Sequence, residues 1–220
     1  MGKTKQYKLL LADDHTLLRD ALGNLINNFE EFTVVASAGN GEDVIKAIQN
    51  GCNPDIILMD LNMPIMDGYA TAKWMQQQYP DIKVVILTMY DSEIALIRLL
   101  QVGVHGFLKK DIHPAELKKA LLTVVSGEYF YSNQTTGKIA SLFRKSPDKP
   151  SSLEKALLTD MEIDFLKLAS TDMTYKEIAQ AMKLTPRHID ACRDTLFDKL
   201  DVKSRVGLAI YAVKNGIITI

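Results

Sequence analysis

Five side chains spread over the first half of the chain have the types that phosphoryl chemistry uses. They are the adjacent carboxylates Asp13 and Asp14, a third carboxylate at Asp60, a hydroxyl at Thr88 and an ammonium at Lys110. Three carboxylates in one small volume repel one another unless a cation sits among them, and all-oxygen ligation with room for waters suits Mg2+. A hydroxyl and an ammonium beside such a metal stabilise the oxygens of a transferring phosphoryl group. A carboxylate can itself attack phosphorus and form an acyl phosphate, which makes Asp60 the natural acceptor. Taken singly, each residue has an ordinary explanation: aspartates at strand ends form turns and caps, a strand-end threonine is commonplace, and Lys109-Lys110 reads as solvated charge. The chemistry therefore depends on the five meeting in space.

The hydrophobic pattern supplies a frame that brings them together. Apolar runs bounded by turn residues recur at 7–12 (YKLLLA), 32–38 (FTVVASA), 55–60 (DIILMD), 82–88 (IKVVILT) and, more weakly, 104–109 (VHGFLK). Helically spaced segments lie between and after them, at about 15–28, 41–50, 68–78, 92–102 and 114–126. Five strands alternating with five helices, without hairpin signals, predict an α/β doubly wound fold with a five-stranded parallel sheet covered on both faces. Ligand chemistry in such sheets collects beyond the carboxyl ends of the strands, where all five residues fall.

The alternation stops after residue 130. Residues 131–152 read as a linker, with a possible short helix at about 134–143 ahead of its polar, proline-containing end (RKSPDKPSS). From 153 to 220 the pattern is purely helical, with about four helices in a small all-α unit. Thr159 with Glu162 and Thr174 with Glu177 have capping-box spacing, Thr185-Pro186 fits an N-cap followed by proline, and Gly216 after Asn215 reads as a terminal cap. Two of these helices, about 174–182 and 186–200, flank the tight link Lys183-Leu184-Thr185, a helix-turn-helix spacing. Periodicity alone fits a generic helical bundle equally well.

Composition bounds the function classes. With 220 residues, two domains of ordinary size are expected. The N-terminal apolar run is too short for a signal peptide or membrane span, which predicts a cytoplasmic protein without membrane association. Cys52 and Cys192 lie far apart and outside any zinc spacing, so neither a disulfide nor structural zinc is expected. Counting Lys and Arg against Asp and Glu gives −4 for 1–130, +3 for 131–150 and 0 for 151–220. Bulk charge thus gives no argument for nucleic acid, and such a role must rest on individual residues.

The motifs DD at 13–14, DLNMPIMDG at 60–68, LTMY at 87–90 and GFLKKD at 106–111 resemble the receiver domain of two-component response regulators. The resemblance covers about 7–126 and implies a flavodoxin-like domain phosphorylated on Asp60 by a sensor histidine kinase. It implies Asp13 or Asp14, Asp60 and the Asn62 backbone carbonyl as Mg2+ ligands, Thr88 as switch hydroxyl and Phe107 as switch aromatic. Two lysines compete for the remaining role; family spacing favours Lys110. Tyr90, two residues past Thr88, lies where an attacking water must approach, and its bulk is expected to slow loss of the phosphoryl group. An aspartate-nucleophile phosphatase would share this chemistry, but that class normally needs a D-x-D pair, and here Leu61 and Asn62 follow Asp60.

The segments LTDMEIDFLKLAS (158–170), TYKEIAQAMKLTPRHID (174–190) and LFDKLDVKSRVGLAIYAVKNGI (196–217) resemble the NarL/LuxR-type helix-turn-helix output domain. This implies double-stranded DNA as partner, a recognition helix starting at Pro186, and contacts from Lys183, Arg187, His188, Arg193, Lys199, Lys203 and Arg205. Family members commonly carry Lys and His on the exposed face of that helix where Asp190 and Cys192 stand. An Asp facing phosphates is repulsive, so Asp190 must point aside, read a cytosine amino group or weaken binding, and Arg193 can replace the missing cation. The whole implies a phosphorylation-controlled transcription regulator, homodimeric when phosphorylated, with the last helix (Val206, Leu208, Ala209, Ile210, Val213) as dimer face or core. The alternative is a phospho-switch acting through protein contacts with a degenerate DNA domain.

Overall fold

The strands that carry the candidate residues are apolar on both faces, as strands inside a parallel sheet must be. The computed structural model describes residues 6–89, 93–131 and 158–218, which fall into two compact units, one built on a sheet and one of helices. In chain order residues 6–131 contain β1 (Tyr7–Ala12), α1 (Thr16–Asn27), β2 (Phe32–Ala38), α2 (Gly41–Gln49), β3 (Ile56–Asp60), α3 (Gly68–Gln78), β4 (Lys83–Thr88), α4 (Glu93–Val102), β5 (Gly106–Lys109), α5 (Pro114–Val125) and β6 (Phe130–Tyr131). The sheet order is β2-β1-β3-β4-β5-β6, and every pairing is parallel. Strand order reverses between β1 and β3, which opens the crevice at their carboxyl ends.

The sequence pattern called for five strands; a sixth, two residues long, is present. It pairs Phe130 with Gly106 and Tyr131 with Phe107 of β5; Phe130 N–H donates to the His105 carbonyl just ahead of β5 (2.9 Å), and the Tyr131 side-chain hydroxyl donates to the Val104 carbonyl (3.0 Å). Two residues are too short to announce themselves through alternation.

Period-two alternation splits the sheet's side chains between two layers. Leu9, Leu11, Ile56, Leu58, Val85, Leu87 and Leu108 pack with Ile26 of α1 and Leu117, Leu121 and Val124 of α5 in one core cluster. Their neighbours Leu10, Ile57, Met59, Val84, Ile86 and Phe107 are equally buried and point to the opposite layer. Caps begin several helices: the Asn40 carboxamide accepts from Asp43 N–H (2.9 Å) at α2, Asp67 accepts from Ala70 N–H (2.8 Å) at α3, and His113 precedes Pro114 at α5.

Residues 158–218 form a helical domain of α6 (Asp160–Ala169), α7 (Tyr175–Ala181), α8 (Pro186–Leu200) and α9 (Arg205–Lys214). Both anticipated capping boxes form, Thr159 with Glu162 and Thr174 with Glu177, and Thr185 caps α8 ahead of Pro186. The α7–α8 link turns through Lys183 in the left-handed region (φ 55°), and Gly216 ends α9 at φ 64°. Leu158, Ile163, Phe165, Leu166, Ile178, Ile189, Leu196 and Leu208 form the core. No described helix is long and apolar enough to cross a membrane. Cys52 and Cys192 are free thiols. The expected helix at 134–143 and the role given to Tyr90 lie outside the described residues.

Candidate functional site

Strand register places the pocket. Ala12 pairs with Met59, so Asp13, the next residue, comes level with Asp60 at the ends of β1 and β3. Asp60 pairs with Leu87, which sets Thr88 one step beyond it; Thr88 pairs with Lys109, which sets Lys110 one step beyond that. Lys110 N–H also donates to the Thr88 carbonyl (2.9 Å), tying the two strand ends together. Successive side chains point to opposite faces, so only one of the two lysines can enter. Lys110 Nζ lies 2.7 Å from Asp13 Oδ2 and 2.8 Å from Asp60 Oδ2, with all three side chains at most 5% exposed. Thr88 is fully buried, and Phe107 is packed inward at 2% exposure.

The loop after Asp60 is shaped by close backbone approach. A Cβ on Gly68 would stand 2.3 Å from the Asp60 carbonyl oxygen, so the start of α3 can lie against the end of β3 only with glycine there. Gly68 N–H donates to the Leu61 carbonyl (2.8 Å). Between them Met66 N–H donates to the Pro64 carbonyl (2.7 Å), and Ile65 takes φ 67°, a tight turn through the left-handed region that costs a β-branched residue on the order of 1–3 kcal/mol.

Burial is the largest influence on Asp60 and pushes its pKa up; the Lys110 ammonium pulls it back and the Asp13 carboxylate adds to the rise. Burial opposes the charge on Lys110, but the two carboxylates outweigh it and hold the ammonium above its ordinary value. The site is thus a carboxylate that costs energy to ionise beside a cation that stays charged. Asn62 is half-buried; its backbone N–H bonds to Asp60, while its side-chain nitrogen is buried with no hydrogen-bond partner among the described residues.

Ligand atoms of Asp13, Asp14, His15 and Asp60 all lie within 4.8 Å of one another, a span one cation can bridge. Three of the four offer carboxylate oxygen, the donor type a hard divalent ion takes. His15 was not among the sequence candidates, although it adjoins both aspartates. Its Nδ1 lies 3.2 Å from Asp13 and 3.0 Å from Asp14, with the ring largely exposed. Arg19 was also missed: its guanidinium donates to the Asp13 backbone carbonyl and fastens α1 to the end of β1.

In the helical unit the expected contact residues divide. Lys183, Arg187 and Lys203 are exposed and have no acidic partner among the described residues. His188 is exposed, but its Nδ1 lies 2.7 Å from Thr185 Oγ1 at the start of α8. Arg193 is held by Asp190 (Nη1 to Oδ1, 2.8 Å) and Asp194 (Nε and Nη2 to Oδ1, 2.9 and 2.8 Å), so it neutralises Asp190 rather than standing free. Lys199 faces inward, 2.9 and 3.0 Å from the buried Glu162 carboxylate. Burial raises the Glu162 pKa, but Lys199 and the Thr159 N–H outweigh it and leave the net shift downward. Arg205 donates to the carbonyls of Ala169 (2.8 Å) and Thr171 (2.7 Å). Cys192 is buried in the core, not on the exposed face expected for it, and burial pushes its thiol up to about 11.

Comparison with known proteins fits both halves. Residues 9–122 match the family model "Response regulator receiver domain", and residues 156–212 match "Bacterial regulatory proteins, luxR family". The uncharacterized transcriptional regulatory protein YxjL of Bacillus subtilis (strain 168) is 30% identical over 219 residues, covering 99% of this chain and 100% of the relative. The oxygen regulatory protein NreC of Staphylococcus haemolyticus (strain JCSC1435) is 30% identical over 216 residues, covering 96% and 99%. Among solved structures, RcsB from Salmonella enterica serovar Typhimurium, bound to promoter rprA with phosphomimetic BeF3-, has a TM-score of 0.71 at 20% identity, covering 94% of this chain and 98% of that one.

Proposed function

Because the chain belongs to the response regulators that join a receiver to a LuxR-type DNA-binding domain, we propose that Asp60 is its phosphoacceptor and that phosphorylation there controls binding of α8 to DNA. The observation that carries the reading is the Lys110 ammonium lying 2.7 and 2.8 Å from Asp13 and Asp60 at the carboxyl end of the sheet. Residues 1–130 form the receiver, 131–152 the linker and 153–220 the output domain. A sensor histidine kinase is the phosphodonor, and the protein works in the cytoplasm.

Asp13, Asp14, Asp60 and the Asn62 backbone carbonyl would hold Mg2+, which would supply charge neutralisation for the phosphoryl oxygens. Lys110 keeps its positive charge beside Asp60 and pairs with an oxygen of the group that Asp60 acquires. The chain assists its own phosphorylation and dephosphorylation in this way without acting on any other substrate. Phosphorylation adds about one negative charge and three strong acceptors. Thr88 donates to one of those acceptors, and Phe107 occupies the space behind it. Phe107 is already inward here, so phosphorylation stabilises an arrangement the chain can reach unaided.

Output follows from dimer formation. Val206 and Ile210 of α9, one turn apart, are 67% and 51% exposed, while Leu208 and Ala212 face the core. This apolar strip is the dimer face of the output domain, and two copies of α8 then engage two half-sites in the major groove. Arg187, Lys183 and Lys203 supply the cations.

The test is to treat wild type and Asp60→Ala with a small phosphodonor and Mg2+ and compare mass, size and DNA binding. Wild type is expected to gain one phosphoryl mass, dimerise and bind; the variant is expected to do none of these. A wild type that gains no mass overturns the receiver assignment, and one that gains mass without dimer or DNA response overturns the output assignment. A second reading, signalling through protein contacts, is favoured by the exposed Asp190, Asp194 and Asp198 on α8. A mobility shift on duplex recovered from a random-site pool separates the two.

A further inference from the structure

The solvent face of α8 carries three aspartates, at 190, 194 and 198, against a single cation, Arg187, with no acidic partner among the described residues. A helix in a major groove is flanked by phosphate rows, and an acid near either row opposes binding. Only over the base edges, at the centre of the groove, does a group that accepts but cannot donate meet a donor of its own: the exocyclic amino group of a base.

The geometry around Arg193 prepares two such acceptors. Its guanidinium takes Oδ1 of Asp190 and Oδ1 of Asp194, and Oδ2 of each has no partner among the described residues. One cation therefore fixes the orientation of both carboxylates, cancels part of their charge and leaves one oxygen of each open. Arg193 is braced from behind, with its guanidinium over the Tyr175 ring at 5.4 Å; Arg205 also lies 5.4 Å from that ring, and Phe165 of the core stacks on it. Asp190 and Asp194 remain 56% and 64% exposed. Ala191 is exposed between them and carries only a methyl group, which lets the helix backbone approach the bases.

We propose that Asp190 and Asp194 are base-reading residues that accept hydrogen bonds from cytosine N4, so that the half-site of this chain is rich in G·C pairs. The inference rests on the DNA-binding reading given above. Adenine also offers an amino group, but it is flanked by its own N7 and by thymine O4, both of which repel a carboxylate, whereas cytosine N4 has an acceptor on one side only, guanine O6, and C5–H on the other. The two carboxylates stand four residues apart, about 6 Å along the helix, within the reach of neighbouring base pairs. Arg187, on the same face toward the N-terminus, takes guanine O6 and N7 of a flanking pair.

The test is random-site selection with the phosphorylated full-length chain, run for wild type, Asp190→Asn, Asp194→Asn and Asp190→Ala. Circular dichroism melting of each variant confirms that it is folded. Wild type is expected to select cytosine at two positions per half-site. Asp190→Asn is expected to exchange one of them for adenine, which a carboxamide reads through N6 and N7, with discrimination on the order of tenfold. Asp190→Ala is expected to lose selection there and gain none. If the asparagine variants select the wild-type sequence and only bind it more tightly, the carboxylates are repulsive bystanders and the inference fails alone. If phosphorylated wild type selects no sequence at all, the DNA-binding reading fails and takes this inference with it.

Discussion

Replacing Lys110 by methionine tests the pocket most directly, because it removes the cation while keeping the length of the side chain. The ammonium is 5% exposed and lies 2.7 and 2.8 Å from two carboxylates that are themselves 2% and 5% exposed. Deleting one partner of a buried pair costs about 3–5 kcal/mol, since the remaining charge is stranded. Here two charges are stranded, so a loss near 5 kcal/mol, roughly the upper end of that range, is expected at neutral pH. Part of it returns in acid. The folded pKa of Asp60 is already raised by burial, and losing Lys110 raises it further. A carboxylate raised above its unfolded value contributes stability below the unfolded pKa and loses it as pH rises through the folded one. The deficit of the variant should therefore shrink on acidification, by about 1.4 kcal/mol for each pH unit over which one proton is taken up. Lys110 in the wild type has the opposite limit. Its pKa is raised, so its contribution is complete below about 10.5, its ordinary value, and is lost as pH climbs through the folded value. Urea unfolding followed by fluorescence isolates the effect, because Trp74 is the sole tryptophan and sits in α3 of the sheet unit. A variant as stable as wild type at pH 7, or one whose deficit is the same at pH 5, would refute the reasoning.

Two further outcomes are expected in the helical unit. Glu162 has its pKa lowered by Lys199 and the Thr159 N–H despite burial, so its stabilisation is present above its unfolded pKa and disappears as pH falls through the folded one. Amide exchange across α6 and α8 should accelerate in that acidic window, and Glu162→Ala should lose about 3 kcal/mol at neutral pH; unchanged protection in α8 would contradict both. Anisotropy titrations over a salt series should separate Lys203 from Lys199: Lys203→Ala is expected to lower the slope of log K against log salt by about 1. Lys199→Ala should leave that slope unchanged and lower the melting temperature, and a reduced slope there would place Lys199 on phosphate after all.

The features legible in the sequence are those set by periodicity and local capping. Parallel strands buried on both faces read as apolar runs, and a run's last residue marks the carboxyl end of the sheet. That rule alone puts Asp60, Thr88 and Lys110 at one edge of the sheet. The capping boxes are equally local, since Thr159 and Glu162 satisfy each other's backbone within one turn. Contacts that depend on tertiary approach were not legible. Nothing local tells Glu162 that Lys199 lies across the core, or Arg205 that it will meet the carbonyls of Ala169 and Thr171. Ile65 gives no signal for a left-handed turn, because its side chain disfavours one. Cys192 is the instructive error. It lies three residues after Ile189 and four before Leu196, both core, so its own helix already placed it inside; comparison with family composition placed it outside.

Both units bury a lysine against carboxylate, yet the proposed function makes only one of the two pairs a switch. Glu162 has no spare capacity: one carboxylate takes both the Lys199 ammonium and the Thr159 N–H, and its displacement would open the cap of α6 together with the core beneath it. The sheet pocket is arranged differently. Lys110 is shared between two carboxylates, Asp60 pays for its ionisation through burial, and the neighbouring Asp14 and His15 are 34% and 67% exposed, so the cluster opens to solvent on one side. Its strained neighbour Ile65 stands at 76% exposure on the loop that follows. A group arriving from that side meets charges whose present pairing is costly and divided, and it can rearrange them without unpacking the sheet. The difference between a structural ion pair and a regulatory one lies here in how many carboxylates share the cation and whether water reaches them.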